Sequence, residues 1–257
     1  MLYQIISYFK FLFTSTNQHG VHSPFVYDFV TKCLYDKSAY DAYTDLKAYR
    51  TSLLNNTETL KITDLGAGSK LMNRASRRVS KMVRNSSSSY EDTKLLFRIS
   101  RYFKLKNTLE LGTSLGIGTQ ALSLGNPSNN ITTIEGCPNT FEFTKQNFEA
   151  LNLANITSIN SNFKSYISQL DNESFDCIFF DGHHNKAATI AYFNLLKSKA
   201  HNNSVFIFDD IYWSKDMTEA WHSIITNDAI TVSIDCFNLG FVFFRKEQPK
   251  QHFKIRL

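Results

Sequence analysis

The chain is poor in everything that marks a fibrous, secreted or membrane-spanning protein. It has only four prolines in 257 residues, which argues against collagen-like, mucin-like and low-complexity classes. No run approaches the roughly 20 apolar residues needed to cross a bilayer, and there is no internal repeat. The four cysteines (Cys33, Cys137, Cys177 and Cys236) lie far apart, with no C-x-x-C and no histidine at zinc-finger spacing. A disulfide framework needs a denser set in a smaller chain, so four reduced thiols in a cytoplasmic protein are expected. The first thirteen residues are apolar but are broken by Gln4, Ser7 and Lys10, and they lack a basic n-region and a small-residue cleavage site. They do not read as a signal peptide.

What is present fits a folded protein. Apolar residues make up 42% of the chain, charged residues 20% and aromatics 14%. A core is therefore affordable and wholesale disorder is excluded. The net charge of +5 permits an anionic partner without requiring one. Near the N terminus Leu2, Ile5, Ile6, Phe9, Leu12 and Phe13 follow amphipathic-helix spacing. That face is expected to cover the domain or a partner subunit, giving a homodimer in which residues 1–30 contribute; a membrane-surface anchor is the alternative.

The chain divides near residue 105. Residues 1–104 read as a mainly helical extension or substrate cap, including a strand-like KITDLGAGS at 61–69, and residues 105–257 read as the core. Within the core, TLEL (108–111), ITTIEG (131–136), ITSINS (156–161), FDCIFFDG (175–182) and SVFIFDD (204–210) are short apolar strands separated by helical patterns. That alternation predicts an α/β fold with a doubly wound parallel sheet. ITVSIDCF (230–237) and GFVFFRK (240–246) follow, separated by two residues. So short a connection predicts an antiparallel hairpin, giving a seven-stranded, mostly parallel sheet.

Two glycine loops compete for a cofactor turn: Asp64-Leu-Gly-Ala-Gly-Ser69, and the stretch from Glu110 to Thr119. A second acid at the tip of the next strand, suited to ribose hydroxyls, decides between them. Glu135 stands at the end of ITTIE, 25 residues after Glu110, whereas no strand follows the first loop. An acid two residues before the first glycine suits an ammonium group better than a pyrophosphate.

LELGTSLGIGT, TIEG, FFDGHH and FIFDDIYW stand in this order. Over about residues 95–246 the chain resembles the class I S-adenosylmethionine-dependent methyltransferases, and within them the catechol and caffeoyl-CoA O-methyltransferase branch. The resemblance implies that Glu110, Gly112, Ser114 and Gly116 shape the methionine pocket and that Glu135 binds the ribose. Asn162 and Phe163 would meet adenine. Relatives often have serine where Gly118 stands; Thr119 would substitute for it.

Asp181, Asp209 and Asp210 end the fourth and fifth core strands, so they share one sheet edge, the edge at which such folds bind ligands. Three gathered carboxylates call for a proton or a hard cation such as Mg²⁺. The metal-dependent relatives carry Asp and then Asp-Asn at these positions, while other relatives carry an acidic pair and use no metal. By the same resemblance Asp181 would also meet the cofactor ammonium. His184 takes the place of the family's lysine base, with His183 as the alternative, and Trp213 would border the acceptor. The implied reaction is methyl transfer to a hydroxyl of a small, anionic or catechol-like acceptor.

Lys70, Arg74, Arg77, Arg78, Lys81 and Arg84 place six cations and no acid between residues 70 and 84. Four of them fall at helical spacing. A solvated face, an acidic small substrate and RNA all fit this stripe, and the alternative functions are a tRNA-modifying methyltransferase acting on a hydroxylated base and a metal-free small-molecule or sugar methyltransferase.

Overall fold

The computed structural model describes residues 2–63, 75–86 and 88–257. The loop at 64–69, with Lys70 and Arg74, lies outside them. The helices are α1 (Leu2–Thr14), α2 (Pro24–Phe29), α3 (Ala42–Asn55), α4 (Val79–Ser86), α5 (Tyr90–Phe103), α6 (Ile117–Gly125), α7 (Pro138–Ala150), α8 (Phe163–Ile167), α9 (Lys186–Leu196) and α10 (Lys215–Thr226). The strands are β1 (Thr59–Ile62), β2 (Ala75–Arg78), β3 (Asn107–Leu111), β4 (Asn130–Glu135), β5 (Ile156–Asn160), β6 (Phe175–Phe180), β7 (Ala200–Asp209), β8 (Val232–Asp235), β9 (Leu239–Phe243) and β10 (Gln251–Lys254). No described helix is long and apolar enough to cross a membrane.

The chain forms two compact units, Asp36–Tyr166 and Met1–Tyr35 with Ile167–Leu257. The first unit carries strands in the order β3-β4-β5, and the second carries strands in the order β10-β8-β9-β7-β6. All five parallel strands read from the sequence are present, as is the antiparallel β8–β9 hairpin. The strand count is corrected from seven to eight by β10, which pairs parallel with β8. Its QHFK sequence carries no apolar signature. It becomes a strand because the outer edge of β8 otherwise presents unpaired N–H and C=O groups.

In the Asp36–Tyr166 unit, β4 lies between β3 and β5, so Glu110 stands opposite Thr133 and Glu135 opposite Asn160. A smaller antiparallel hairpin pairs β1 with β2. Leu60 of β1, Val79 and Val83 of α4, Leu115 and Ile117 close into one buried cluster. Burial of these side chains fixes the hairpin and the turn before α6 as one block. The basic stretch is not one helical face: Arg77 and Arg78 lie on β2, while Lys81 and Arg84 lie on α4. Arginines three and four residues apart match a helix by spacing, but pairing with β1 extends the first half.

In the other unit, phenylalanines from β6, β7 and β9 fill the core, including Phe179, Phe206, Phe208, Phe241 and Phe243. Trp221 of α10 lies flat on Gly240, where an added Cβ would come within 2.7 Å of the indole ring. The apolar stripe of α1 does not face the domain. Leu2, Ile5, Ile6, Phe9 and Phe13 are exposed, and the helix is held through buried Ser7 and Phe11. Phe11 is anchored on Tyr212 and Phe237, which are not in the helix's own pattern. All four cysteines are buried free thiols.

Candidate active site

The loop after β3 has an uncommon backbone. Gly112, Ser114 and Gly116 take φ of 112°, 48° and 72°. Positive φ is costly for residues with a side chain, so two of the three are glycine. At Gly116 space adds a second reason, since a Cβ would approach Phe148 Cε1 to 2.5 Å and Thr144 Cγ2 to 2.7 Å. The N–H groups of Gly112 and Thr113 both donate to the Ile134 carbonyl, and Thr144 Oγ1 donates to that of Ser114 at 2.7 Å.

Two carboxylates flank this loop and differ in setting. Glu110 is wholly buried, and its Oε2 accepts hydroxyls from Thr119 and Thr133, both at 2.5 Å. Burial pushes its carboxyl up to about 7, against the pull of those two hydroxyls. Thr119 is itself fully buried, so its hydroxyl serves Glu110. Glu135 ends β4 at the partly exposed rim. Its Oε2 accepts Ser114 N–H at 2.9 Å and its Oε1 accepts Cys137 N–H at 2.8 Å. Burial raises its carboxyl above the ordinary range, opposed by these N–H groups and that of Gly136. Each oxygen takes one backbone donor and keeps acceptor capacity, which suits a vicinal diol.

At the end of β5, Asn160 Nδ2 donates to the Glu135 carbonyl at 2.7 Å. Exposed Asn162 caps α8 by accepting Ser165 N–H at 2.8 Å, and Phe163 beside it is buried. Cys137 and Thr133 were not legible as site residues. Neither signal exists before the β3–β4 register is known, because Thr133 meets Glu110 only as its cross-strand neighbour.

The second group lies in the other unit, after β6 and β7. Partly buried His184 brings Nε2 to 3.9 Å from Asp181 Oδ1. Burial lowers its imidazole below the usual value; the Asp210 charge pulls it up and His183 pulls it down. His183 and Asp210 adopt left-handed φ of 63° and 56°. Such strain in non-glycine residues gathers where function needs it. The His183 ring meets Tyr192 edge-on at 5.8 Å. The backbone N–H of Trp213 donates to the Asp210 carbonyl at 2.9 Å, and the residue is 52% exposed.

The expected magnesium cage is not assembled. Among the described residues no three His, Cys, Asp or Glu side chains converge as ion ligands. Asp209 still belongs to β7, opposite Leu239, whereas Asp210 has left the strand through its left-handed turn. Asp181, Asp209 and Asp210 are therefore not gathered into one ligand set.

Residues 109–211 match the methyltransferase domain family. No curated protein matches the sequence. Among solved structures, the S-adenosylhomocysteine-bound methyltransferase of Podospora anserina aligns with a TM-score of 0.59 and 14% identity, over 88% of this chain and 97% of its own. The Bacillus cereus O-methyltransferase in complex with S-adenosylhomocysteine aligns at 0.55 and 16%, over 84% and 96%. The Streptomyces achromogenes O-methyltransferase involved in tomaymycin synthesis, in complex with S-adenosylmethionine, aligns at 0.57 and 14%, over 81% and 91%. At these identities the likeness is one of fold. Together with the family match, it makes residues 109–211 a methyltransferase domain on the class I S-adenosylmethionine-dependent methyltransferase fold.

Proposed function

We propose that this chain is an O-methyltransferase that moves the methyl group of S-adenosylmethionine to a hydroxyl of a small organic acceptor. The observation that carries the reading is Glu135: a strand-end carboxylate, oriented by two backbone N–H groups, beside a loop whose glycines keep side chains out of the way. When bound, S-adenosylmethionine supplies an electrophilic methyl on a sulfonium.

The rest is the work of this chain's residues. Glu135 would accept the ribose hydroxyls, while the loop from Gly112 to Gly116 would bring backbone close to the methionine half. Asn162 and Phe163 would border the adenine. Buried Glu110 would fix the loop through Thr119 and Thr133. Asp181 would offer its carboxylate to the cofactor ammonium and orient His184, which would take the acceptor proton at Nε2. With its imidazole held below the usual value, His184 is neutral and basic at physiological pH. Trp213 and His183 would border the acceptor, and in-line positioning would account for most of the rate. The exposed face of α1 would pair two copies of the chain.

The test is transfer of labelled methyl from S-adenosylmethionine into catechols, hydroxycinnamoyl thioesters and bulk tRNA. Label in a small-molecule hydroxyl is the expected result. Absence of S-adenosylhomocysteine binding by calorimetry would remove the reading altogether, and label in tRNA would move it to the RNA-modifying alternative.

A further inference from the structure

We propose that the cleft between β2 and the first turns of α4 binds a small molecule carrying a phosphate or diphosphate. The cleft encloses about 470 Å³ and is lined by Arg77, Arg78 and Lys81 together with Thr59, Ser76 and Asn85. That volume falls within the range of small-ligand sites. No acid lines it. None of the three cations forms an ion pair with another described residue. A solvated surface ordinarily intersperses both signs; here three positive groups converge on one concavity and leave their hydrogen-bond donors available.

The chemistry of the lining matches phosphate oxygens. Two guanidinium groups offer forked, permanently charged donors, and an ammonium adds a mobile point charge. Thr59, Ser76 and Asn85 supply neutral donors that a carboxylate or sulfonate would use as well, but only a multiply charged anion answers three cations at once. The frame is rigid. Thr59 pairs with Arg78 and Leu60 with Arg77 in the hairpin register, and Leu60 and Val79 are buried in one cluster. Lys81 and Asn85, four residues apart on α4, share a face. A nucleic-acid surface would spread its cations along a track at phosphate spacing, whereas these surround one pocket.

The site is distinct from the proposed nucleoside pocket and stands whether or not that reading holds. Calorimetric titration of inorganic pyrophosphate into the full chain is expected to give one-to-one binding that weakens with salt. The double variant Arg77→Gln/Lys81→Gln should lose at least tenfold in affinity at unchanged thermal midpoint, while Lys37→Gln, an exposed lysine outside the lining, should bind as the parent. Absence of pyrophosphate binding, or equal affinity in the double variant, would overturn the proposal. So would bulk tRNA that binds more tightly than pyrophosphate and displaces it, in favour of a nucleic-acid surface.

Discussion

Tyr212 donates its hydroxyl to Asp235 across 2.6 Å, and both side chains are buried. Phe237 adds its N–H to the same carboxylate at 2.9 Å and stacks its ring on Tyr212, with centroids 4.9 Å apart. Tyr212 stands immediately before Trp213 and two residues after Asp210, so this pair ties the loop after β7 to β8. Tyr212→Phe removes one of two donors to a buried carboxylate and should cost about 1–3 kcal/mol in urea unfolding. Burial already holds Asp235 above the ordinary carboxylate range, so its protonated form is favoured in the fold. Stability should therefore fall as pH rises through that range, and fall further in the variant; identical curves would show that the bond contributes nothing.

Glu110 gives a second pH dependence with a defined window. Its carboxyl, at 4.5 ordinarily, is pushed up to about 7 by burial. The native state thus binds the proton more tightly than the unfolded chain, and stability is lost as pH climbs from about 4.5 to about 7, by roughly 3 kcal/mol. Glu110→Gln should abolish that slope. Unfolding curves at pH 5 and pH 7.5 that differ as much in the variant as in the parent would refute the assignment.

Gly116→Ala is expected to destabilise by about 2 kcal/mol or more, since it combines a left-handed φ of 72° with a 2.5 Å approach to Phe148. Phe148→Leu in the same chain should recover the steric part only. Full recovery would mean that the backbone conformation is unstrained.

For the proposed cofactor acid, Glu135→Gln should weaken S-adenosylhomocysteine binding about 10-fold or more. An amide offers only one acceptor, while Ser114 and Cys137 present two donors. Calorimetry reads this directly, and unchanged affinity would assign the ribose elsewhere.

His184→Ala should lower kcat by about 10²–10⁴ if this ring takes the acceptor proton. In the parent, kcat/KM should fall on the acid side below the ordinary imidazole value of 6.5, because burial depresses the ring's pKa. EDTA should leave turnover intact, since Asp181, Asp209 and Asp210 form no ligand group. Loss of activity on chelation, restored by Mg²⁺, would contradict that geometry.

The parallel strands were legible because each is a short apolar run bounded by turn residues, and Glu135 because it ends one of them. What escaped depends on partners distant in sequence. Arg77 and Arg78 fit a helix until β1 is known to lie beside them, and β10 has no signature apart from the edge of β8. The aspartates at 209 and 210 look like one ligand pair in sequence, but Asp209 ends β7 while Asp210 turns into the left-handed region. Likewise the stripe on α1 has the spacing of a buried face, yet Phe11 alone of its phenylalanines is buried.

The division of the chain into units has a consequence for synthesis. Asp36–Tyr166 is one uninterrupted stretch, whereas the other unit joins Met1–Tyr35 to Ile167–Leu257. On the ribosome the uninterrupted stretch can complete its contacts as soon as it emerges. The first 35 residues must wait until the whole of that stretch and the segment after it have been made; Phe11 waits about 200 residues for Tyr212, roughly 10–40 s at typical elongation rates. Throughout that interval Phe11 lacks Tyr212 and Phe237, so this segment is protected long after it is made, and it is where a nascent chain of this protein would recruit a chaperone.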